Sequence, residues 1–312
     1  MRREGLEPTR LAALEPKSSA STNSATFAKK RVKNNVLYLR VSVGHYENFP
    51  VASLLLPAPL RDPVAVIYRF ARSADDIADE GDDPPAARLA SLERFRDALE
   101  HLDAPETALF ADIARIVDEH ALPVPLFHDL LDAFAQDVVK KRYADFVEVL
   151  DYCRRSANPV GRLLLELFKQ TSETELEQSD AICTSLQLTN FWQDVAIDYA
   201  KGRIYLPQDE MAAYGVTEAH IGAQRCDDAW RALMAFQIER TRELMLGGAP
   251  LGAELPGRIG LEIRATVQGG LRILEKIEAV GYDVFRRRPV LKWSDWPLLL
   301  VRAVGRSGSD PP

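Results

Sequence analysis

For most of its length the chain places apolar residues at three- and four-residue steps, the spacing of one buried helix face. After Asp62–Pro63, an Asp N-cap followed by Pro at the first helical position, a helix is predicted to run until Gly81–Pro85 stops it. Further amphipathic helices are predicted over Pro84–Leu102, Pro105–His120, Pro123–Val139, Asp145–Lys169, Glu173–Tyr199, Asp227–Leu246 and Glu254–Val280, with a short last one over 291–304. Pro159 lies inside Asp145–Lys169 and should kink it, while Gly161 lets a neighbour or a ligand come close. Ala157–Gly161 and Tyr152 are therefore candidate cavity wall, although Tyr152 also reads as a half-buried tyrosine with its hydroxyl satisfied by a neighbour. Strand alternation occurs nowhere at length, and no repeat of fixed period is visible. The expected fold class is all-α: one helical domain over 35–304, after a disordered polar extension at 1–34 and before a tail at 305–312.

Two stretches interrupt the plain alternation of core and solvent faces. Tyr68–Glu80 reads YRFARSADDIADE, and at about 100° per residue Tyr68, Arg72, Asp75, Asp76 and Asp79 share one helical stripe, with Glu80 just beyond. Like charges three and four residues apart repel, so the stripe suggests a bound cation. Magnesium suits such a place, since it takes oxygen ligands and bridges carboxylates to phosphates. A solvated acidic face at a helix end is the competing reading, and this stretch alone leaves both open. Gln187–Pro207 reads QLTNFWQDVAIDYAKGRIYLP, in which Gln187, Asn190, Asp194 and Asp198 form a second stripe of oxygen ligands. Leu188, Phe191, Val195 and Ile197 occupy the other side and suit the core. Two such stripes could face each other across a cavity and hold divalent ions around a diphosphate.

Composition narrows the field. A net charge of −7 argues against a nucleic-acid partner. Cys153, Cys183 and Cys226 are scattered and odd in number, which predicts a reducing, cytoplasmic compartment with neither a disulfide framework nor a zinc site. No run of 18 apolar residues occurs and the start lacks a signal-peptide core, so no spanning helix or leader is expected. There is no Walker loop, GxSxG, HExxH or GxGxxG, so a nucleotide or NADPH has no support in the sequence. Trp293–Val301 (WSDWPLLLV) is too short to span a bilayer; it reads as core packing, or as a segment that dips into a membrane surface.

The two stripes together resemble the squalene/phytoene synthase family. The first motif is Tyr68-x3-Arg72-x2-Asp75-Asp76-x2-Asp79-Glu80. The second is Asn190-x3-Asp194-x3-Asp198, followed by Gly202-Arg203-Ile204-Tyr205-Leu206-Pro207. The resemblance spans about residues 40 to 290. It implies an isoprenoid synthase fold, a helical bundle around a central apolar channel, with Mg2+ held by Asp75, Asp76, Asp79, Asn190, Asp194 and Asp198. It also implies that His45, Asn48, Phe49, Tyr68, Arg72, Gln187, Asn190, Arg203 and Tyr205 bind substrate. Tyr152, Asp75, Asp79, Asp194 and Gln193 then stand as the catalytic candidates.

Three positions depart from the family's pattern. Gln193 stands where arginine is usual, Glu47 replaces a common basic residue, and Gly269–Gly270 replace a common tyrosine. These departures, with GHYENFPVAS and FWQDVA, are similar to the bacterial hydroxysqualene synthases of hopanoid pathways. Those enzymes ionise presqualene diphosphate and add water without NADPH. Partners implied are a C30 prenyl diphosphate derived from farnesyl diphosphate, sister enzymes of the squalene pathway, and a peripheral contact with the inner face of a membrane. Arg72 would grip phosphate, while Phe49, Phe191 and Tyr152 would face the carbocation. Gln193 would lower positive charge near the metals and position a water, or else be a neutral exchange on a helix surface. The alternatives are head-to-head condensation of two prenyl diphosphates to squalene or phytoene, and a non-catalytic helical scaffold.

Overall fold

Proline and cap chemistry, more than hydrophobic spacing, set where the helices begin and stop. The computed structural model describes residues 56–305. The expectations for the 1–34 extension, for 306–312, and for His45, Asn48 and Phe49 lie outside the described residues. Helix α1 spans Ala58–Asp79, so it begins four residues before Asp62. Pro57 and Pro59 form the entry, and the Leu60 N–H donates to the Pro57 carbonyl at 3.0 Å. Pro63 is carried inside the helix. The bond it cannot donate would go to the carbonyl of Pro59, close to the open helix start, where the loss is small. Asp62 does not cap; its carboxylate meets Arg115 Nη2 at 2.6 Å.

Helices α2 (Pro85–Glu100), α3 (Ala108–His120) and α4 (Pro125–Val139) fall where the spacing predicts. Pro159 does more than kink its segment. Helix α5 (Phe146–Ser156) ends before it, and Pro159 lies in the first turn of α6 (Asn158–Phe168), where its missing N–H costs nothing. The second carboxylate segment also divides, into α7 (Glu173–Gln193) and α8 (Val195–Ala200), with Asp194 between them at φ −108°, ψ 14°. Ser172 and Glu175 form a capping box at the start of α7. There follow α9 (Gln208–Ala213), α10 (Glu218–Gly222), α11 (Asp228–Gly248), α12 (Leu251–Glu254) and α13 (Gly257–Ala279). A 3-10 turn at Trp293–Asp295 leads into α14 (Trp296–Gly305). Helices α9, α10 and α12 are too short to show a period, so the spacing does not predict them. Among the described residues there is no strand.

Among the described residues two large apolar cores result, beside a smaller cluster around Ile182, Met245, Leu251 and Val267. Phe70, Ile113, Phe127, Leu130 and Leu163 build one from α1, α3, α4 and α6, with Phe70 set edge-on to Phe127 at 5.2 Å between ring centres. Trp192, Trp230, Leu233, Ile238 and Ile273 build the other from α7, α11 and α13. A cavity of about 280 Å³ is walled by α1, α6, α7, α12 and α13, through residues that include Ile67, Tyr68, Leu164, Ile182, Leu186, Leu251 and Ile263. Gly161 lies in its wall, as the sequence suggests. A Cβ there would stand 2.4 Å from Ser179 Oγ and 2.6 Å from Cys183 Sγ, so only glycine lets α6 and α7 approach this closely.

Candidate active site

Helices α1 and α7 each change character along their length. On α1, Val64, Ile67, Tyr68 and Ala71 line the cavity, and the next two turns carry Arg72, Asp75, Asp76 and Asp79. On α7, Ser179, Ile182, Cys183 and Leu186 line it, and the next turns carry Gln187, Asn190 and, at the helix end, Asp194. The two polar ends meet. Arg203, five residues beyond Asp198, donates through Nη2 to Asp79, and Lys201 Nζ lies 3.1 Å from the same carboxylate. Apolar cavity wall and acids thus follow one another along the same two helices.

Within the first stripe, Arg72 binds its own neighbours. Its Nη1 lies 2.9 Å from Asp75 and its Nη2 2.6 Å from Asp76, with Glu80 at 3.5 Å. Burial, then the charge of Asp79, pushes the Asp75 carboxyl up to about 6 against the pull of Arg72. Burial acts on Asp79 too, but Arg203 and Lys201 outweigh it and hold that carboxyl below the usual range.

The sequence reading missed Asp137. It is buried on α4 and accepts hydrogen bonds from the Tyr152 hydroxyl at 2.5 Å and the Tyr205 hydroxyl at 3.2 Å. Its backbone carbonyl accepts from Arg203 Nη2 at 3.1 Å. Burial raises its carboxyl to about 6, although Arg203 and the two hydroxyls pull it down. Burial also pushes the Tyr152 hydroxyl well above its ordinary value, so it stays a proton donor. Around it the Tyr205 ring stacks on Phe191 with centres 3.7 Å apart, and Tyr143 on Tyr205 at 5.4 Å. A signal was there to find: Asp137 continues the buried stripe of Leu130 and Phe134 at i+7, where an unpaired acid is costly.

The second stripe is built on the break at Asp194. The Asp194 N–H closes α7 onto the Asn190 carbonyl at 2.9 Å, and the Asp194 carbonyl opens α8 by accepting from the Asp198 N–H at 2.9 Å. Arg288 grips the Asp194 carboxylate in a fork, through Nε and, at 3.0 Å, Nη2. The Gln193 side chain is buried, and its amide donates to the Pro289 carbonyl. The last residue of α7 and the one that caps it therefore hold adjacent residues of one loop. Burial and the neighbouring Asp194 push the Asp198 carboxyl up to about 8. Gln187 is half-buried and Asn190 exposed on the same face. At Gly270 a Cβ would lie 2.5 Å from Met245 Cε and 3.1 Å from Leu186 Cδ2, so a larger residue there would have to push those side-chain ends aside.

Of the candidates that are described, the structure brings Arg72, Asp75, Asp76, Asp79, Asp198 and Arg203 into one electrostatic cluster. Tyr152 and Tyr205 adjoin it through Asp137. Among the described residues, no three acids are already gathered closely enough to hold an ion. The donor set nevertheless fits magnesium. It is all oxygen, and six carboxylates (Asp75, Asp76, Asp79, Glu80, Asp194, Asp198) meet four cations (Arg72, Lys201, Arg203, Arg288). Asp76 Oδ1 is enclosed and close to Arg72, yet has no aligned hydrogen bond.

The family model described as squalene/phytoene synthase matches residues 43–296. A hydroxysqualene synthase of Rhodopseudomonas palustris is 37% identical over 235 residues, 74% of this chain and 80% of the relative. One from Zymomonas mobilis is 36% identical over 251 residues, 78% of this chain and 83% of the relative. The crystal structure of squalene synthase HpnC from Alicyclobacillus acidocaldarius superposes with a TM-score of 0.71 at 35% identity, covering 76% of this chain and 90% of that one.

Proposed function

Because the chain belongs to the squalene/phytoene synthase family, we propose that it converts presqualene diphosphate and water to hydroxysqualene and diphosphate, with magnesium as its metal. The observation that carries this reading is the meeting of two acid-bearing helix ends over one apolar cavity. The cavity's apolar wall suits a hydrocarbon, and the acids suit a diphosphate only through cations. Asp75, Asp76 and Asp79 on one side, and Asn190, Asp194 and Asp198 on the other, would hold the magnesium. When bound it supplies Lewis acidity toward the departing diphosphate.

The rest falls to the chain's own groups. Arg72 and Arg203 stand ready as phosphate donors, with Lys201 at the same edge. The carbon–oxygen bond to diphosphate breaks with its electron pair on the leaving group. Tyr152, Phe191 and Tyr205 pack ring against ring beside the acids, and would supply aromatic surface that favours the cation and keeps bulk water away. One water then forms the new carbon–oxygen bond and gives up a proton. The resemblance to the wider squalene/phytoene synthase family makes arginine the usual residue at position 193. Here the positive charge beside Asp194 comes from Arg288, and Gln193 holds the loop that supplies it. Tyr68 lines the cavity, and Gln187 and Asn190, which follow its α7 wall in sequence, would bind substrate beside the acids.

Substrate and product are both C30 lipids, so the protein works at the inner face of a membrane in a reducing cytoplasm, beside sister enzymes of its pathway. No helix among the described residues is long and apolar enough to cross a bilayer. The test is incubation with presqualene diphosphate and magnesium, without NADPH, in water enriched in heavy oxygen. Labelled alcohol supports the reading; squalene formed only on adding NADPH overturns it. A second reading, condensation of two prenyl diphosphates, is favoured by the likeness to a structure described as a squalene synthase. Product from farnesyl diphosphate alone would establish it.

A further inference from the structure

Helix α14 is fixed on one side and bare on the other. Leu299 and Ala303 are buried against α13. Arg264 Nε donates to the Ala303 carbonyl at 2.7 Å, and Arg302 meets Glu275 at 2.6 Å. The turn before it is clamped by buried Asp295, which accepts from Arg272 Nε at 3.0 Å, from Lys276 Nζ, and from the Lys292 N–H at 2.7 Å. Outward it presents Leu298, Leu300, Val301 (70% exposed) and Val304 (60%), with Trp293 90% exposed at its base. A surface helix ordinarily turns charge outward. This face has none.

What surrounds the face identifies its partner. The chain as a whole is acidic, but Val284–Gly305 holds five basic residues against a single acid, Asp295, which is buried. Arg286, Arg287 and Lys292 are exposed just before Trp293. The order is then basic cluster, tryptophan, apolar helix. It matches the order of an anionic bilayer surface met from water: headgroups, interface, acyl chains. A second copy fits less well. A ten-residue helix face is small beside the roughly 800 Å² per partner of a stable interface, and a two-fold pairing would set the arginine cluster against itself.

Resting on the lipid-substrate reading above, we propose that the α14 face with Trp293 seats the protein on an anionic lipid surface. The helix is about 15 Å long, so it lies in the interface and cannot span. Its support, α13, also walls the cavity through Ile259, Ile263 and Thr266. The seat and the substrate cavity therefore share one rigid element.

The experiment is co-sedimentation of the full chain with vesicles of phosphatidylglycerol and phosphatidylcholine, against phosphatidylcholine alone. Wild type should bind the mixed vesicles and release them with salt. Val301→Glu with Val304→Glu, and separately Trp293→Ser, should each lower partitioning at least tenfold while keeping the helical signal and the activity on detergent-dispersed substrate. Arg287→Glu with Lys292→Glu should remove the salt dependence. Wild type that ignores anionic vesicles, or variants that bind them equally, overturns the proposal. So does an apolar-face variant that turns a dimer into monomers, or loss of vesicle binding that follows removal of residues 1–55 and not the α14 changes. Vesicle binding intact with no alcohol product would sink the proposed reaction and leave the lipid seat standing.

Discussion

On α1 the acids Asp75, Asp76 and Asp79 stand on an unbroken helix. Their counter-charges come from Arg72 one turn back and from Arg203 and Lys201 beyond α8. On α7 the helix stops at Gln193, and Asp194 caps it while taking its counter-charge from Arg288, 94 residues further on. The first stripe is thus rigid in backbone, and its partners are largely the site's own. The second depends on a break in the helix and on a distant loop. If magnesium is held as proposed, the first stripe would need only to turn side chains, whereas the second would have to release a loop.

The largest expected effect lies in the acids themselves. Asp76→Asn and Asp194→Asn should each cut turnover by about 100-fold or more, since each removes charge where diphosphate charge develops. Helix content should stay intact in both, because neither side chain is part of the apolar core. Chelation of the metal should do the same to wild type. Diphosphate release checks this, and near wild-type turnover in either variant would dissolve the stripe's assignment on that helix.

Next comes the residue that ties the stripes together. Arg203→Gln leaves Asp79 and buried Asp137 facing each other without their shared cation. Breaking such a buried pair from one side costs about 3 kcal/mol, which for a chain of this size lowers the melting temperature by roughly 5 °C. Arg72→Gln, whose partners are more exposed, should cost much less. Equal losses for the two would mean that the stripes are not joined through Arg203.

The third test separates the stripes by pH. In the metal-free fold burial raises Asp198 to about 8 and Asp75 to about 6. An ion must displace those protons, so magnesium affinity should fall about tenfold per unit as pH drops below 8, more steeply below 6. The same raised values mean that the metal-free fold holds more protons than the unfolded chain. Its stability should therefore decline as pH rises from about 4 to 8. Titration calorimetry in two buffers measures the released protons. Asp198→Asn should remove the release near neutrality and spare that below pH 6.

Much of this was open to a reader of the sequence, for a physical reason. Acids at three- and four-residue steps inside apolar helices are visible as a violation, so Asp75, Asp76, Asp79, Asn190, Asp194 and Asp198 could be placed on two faces before any coordinates. The helical fold follows from the same spacing. Asp137 was missed because its partners, Tyr152, Tyr205 and Arg203, lie 15 to 68 residues away. Its conflict with the Leu130–Phe134 stripe was the one local sign. The break at Asp194 left no mark either, since neither Gly nor Pro stands there. Arg288 cannot be told in the sequence from Arg286 and Arg287 beside it, because loop packing decides which of three arginines turns inward.

The smallest and most discriminating change is at Gln193. Its amide holds the Pro289 carbonyl, next to the arginine that covers Asp194. Gln193→Arg sets a second guanidinium beside Arg288 in a buried place. The two cations repel, so the loop should shift and Asp194 should be covered by the new arginine. If the Gln193 amide, directly or through that loop, sets where water meets the carbocation, the alcohol share of the product should fall several-fold, with hydrocarbon rising. Arg288→Gln in the same background removes the repulsion. It should restore stability without restoring alcohol if position 193 itself governs the water, and should restore both if the loop does. Product analysis by mass, beside a melting curve for each variant, reads the two outcomes apart. An unchanged alcohol yield in Gln193→Arg would leave the second stripe's dependence on its loop a matter of packing, with no part in the choice of product.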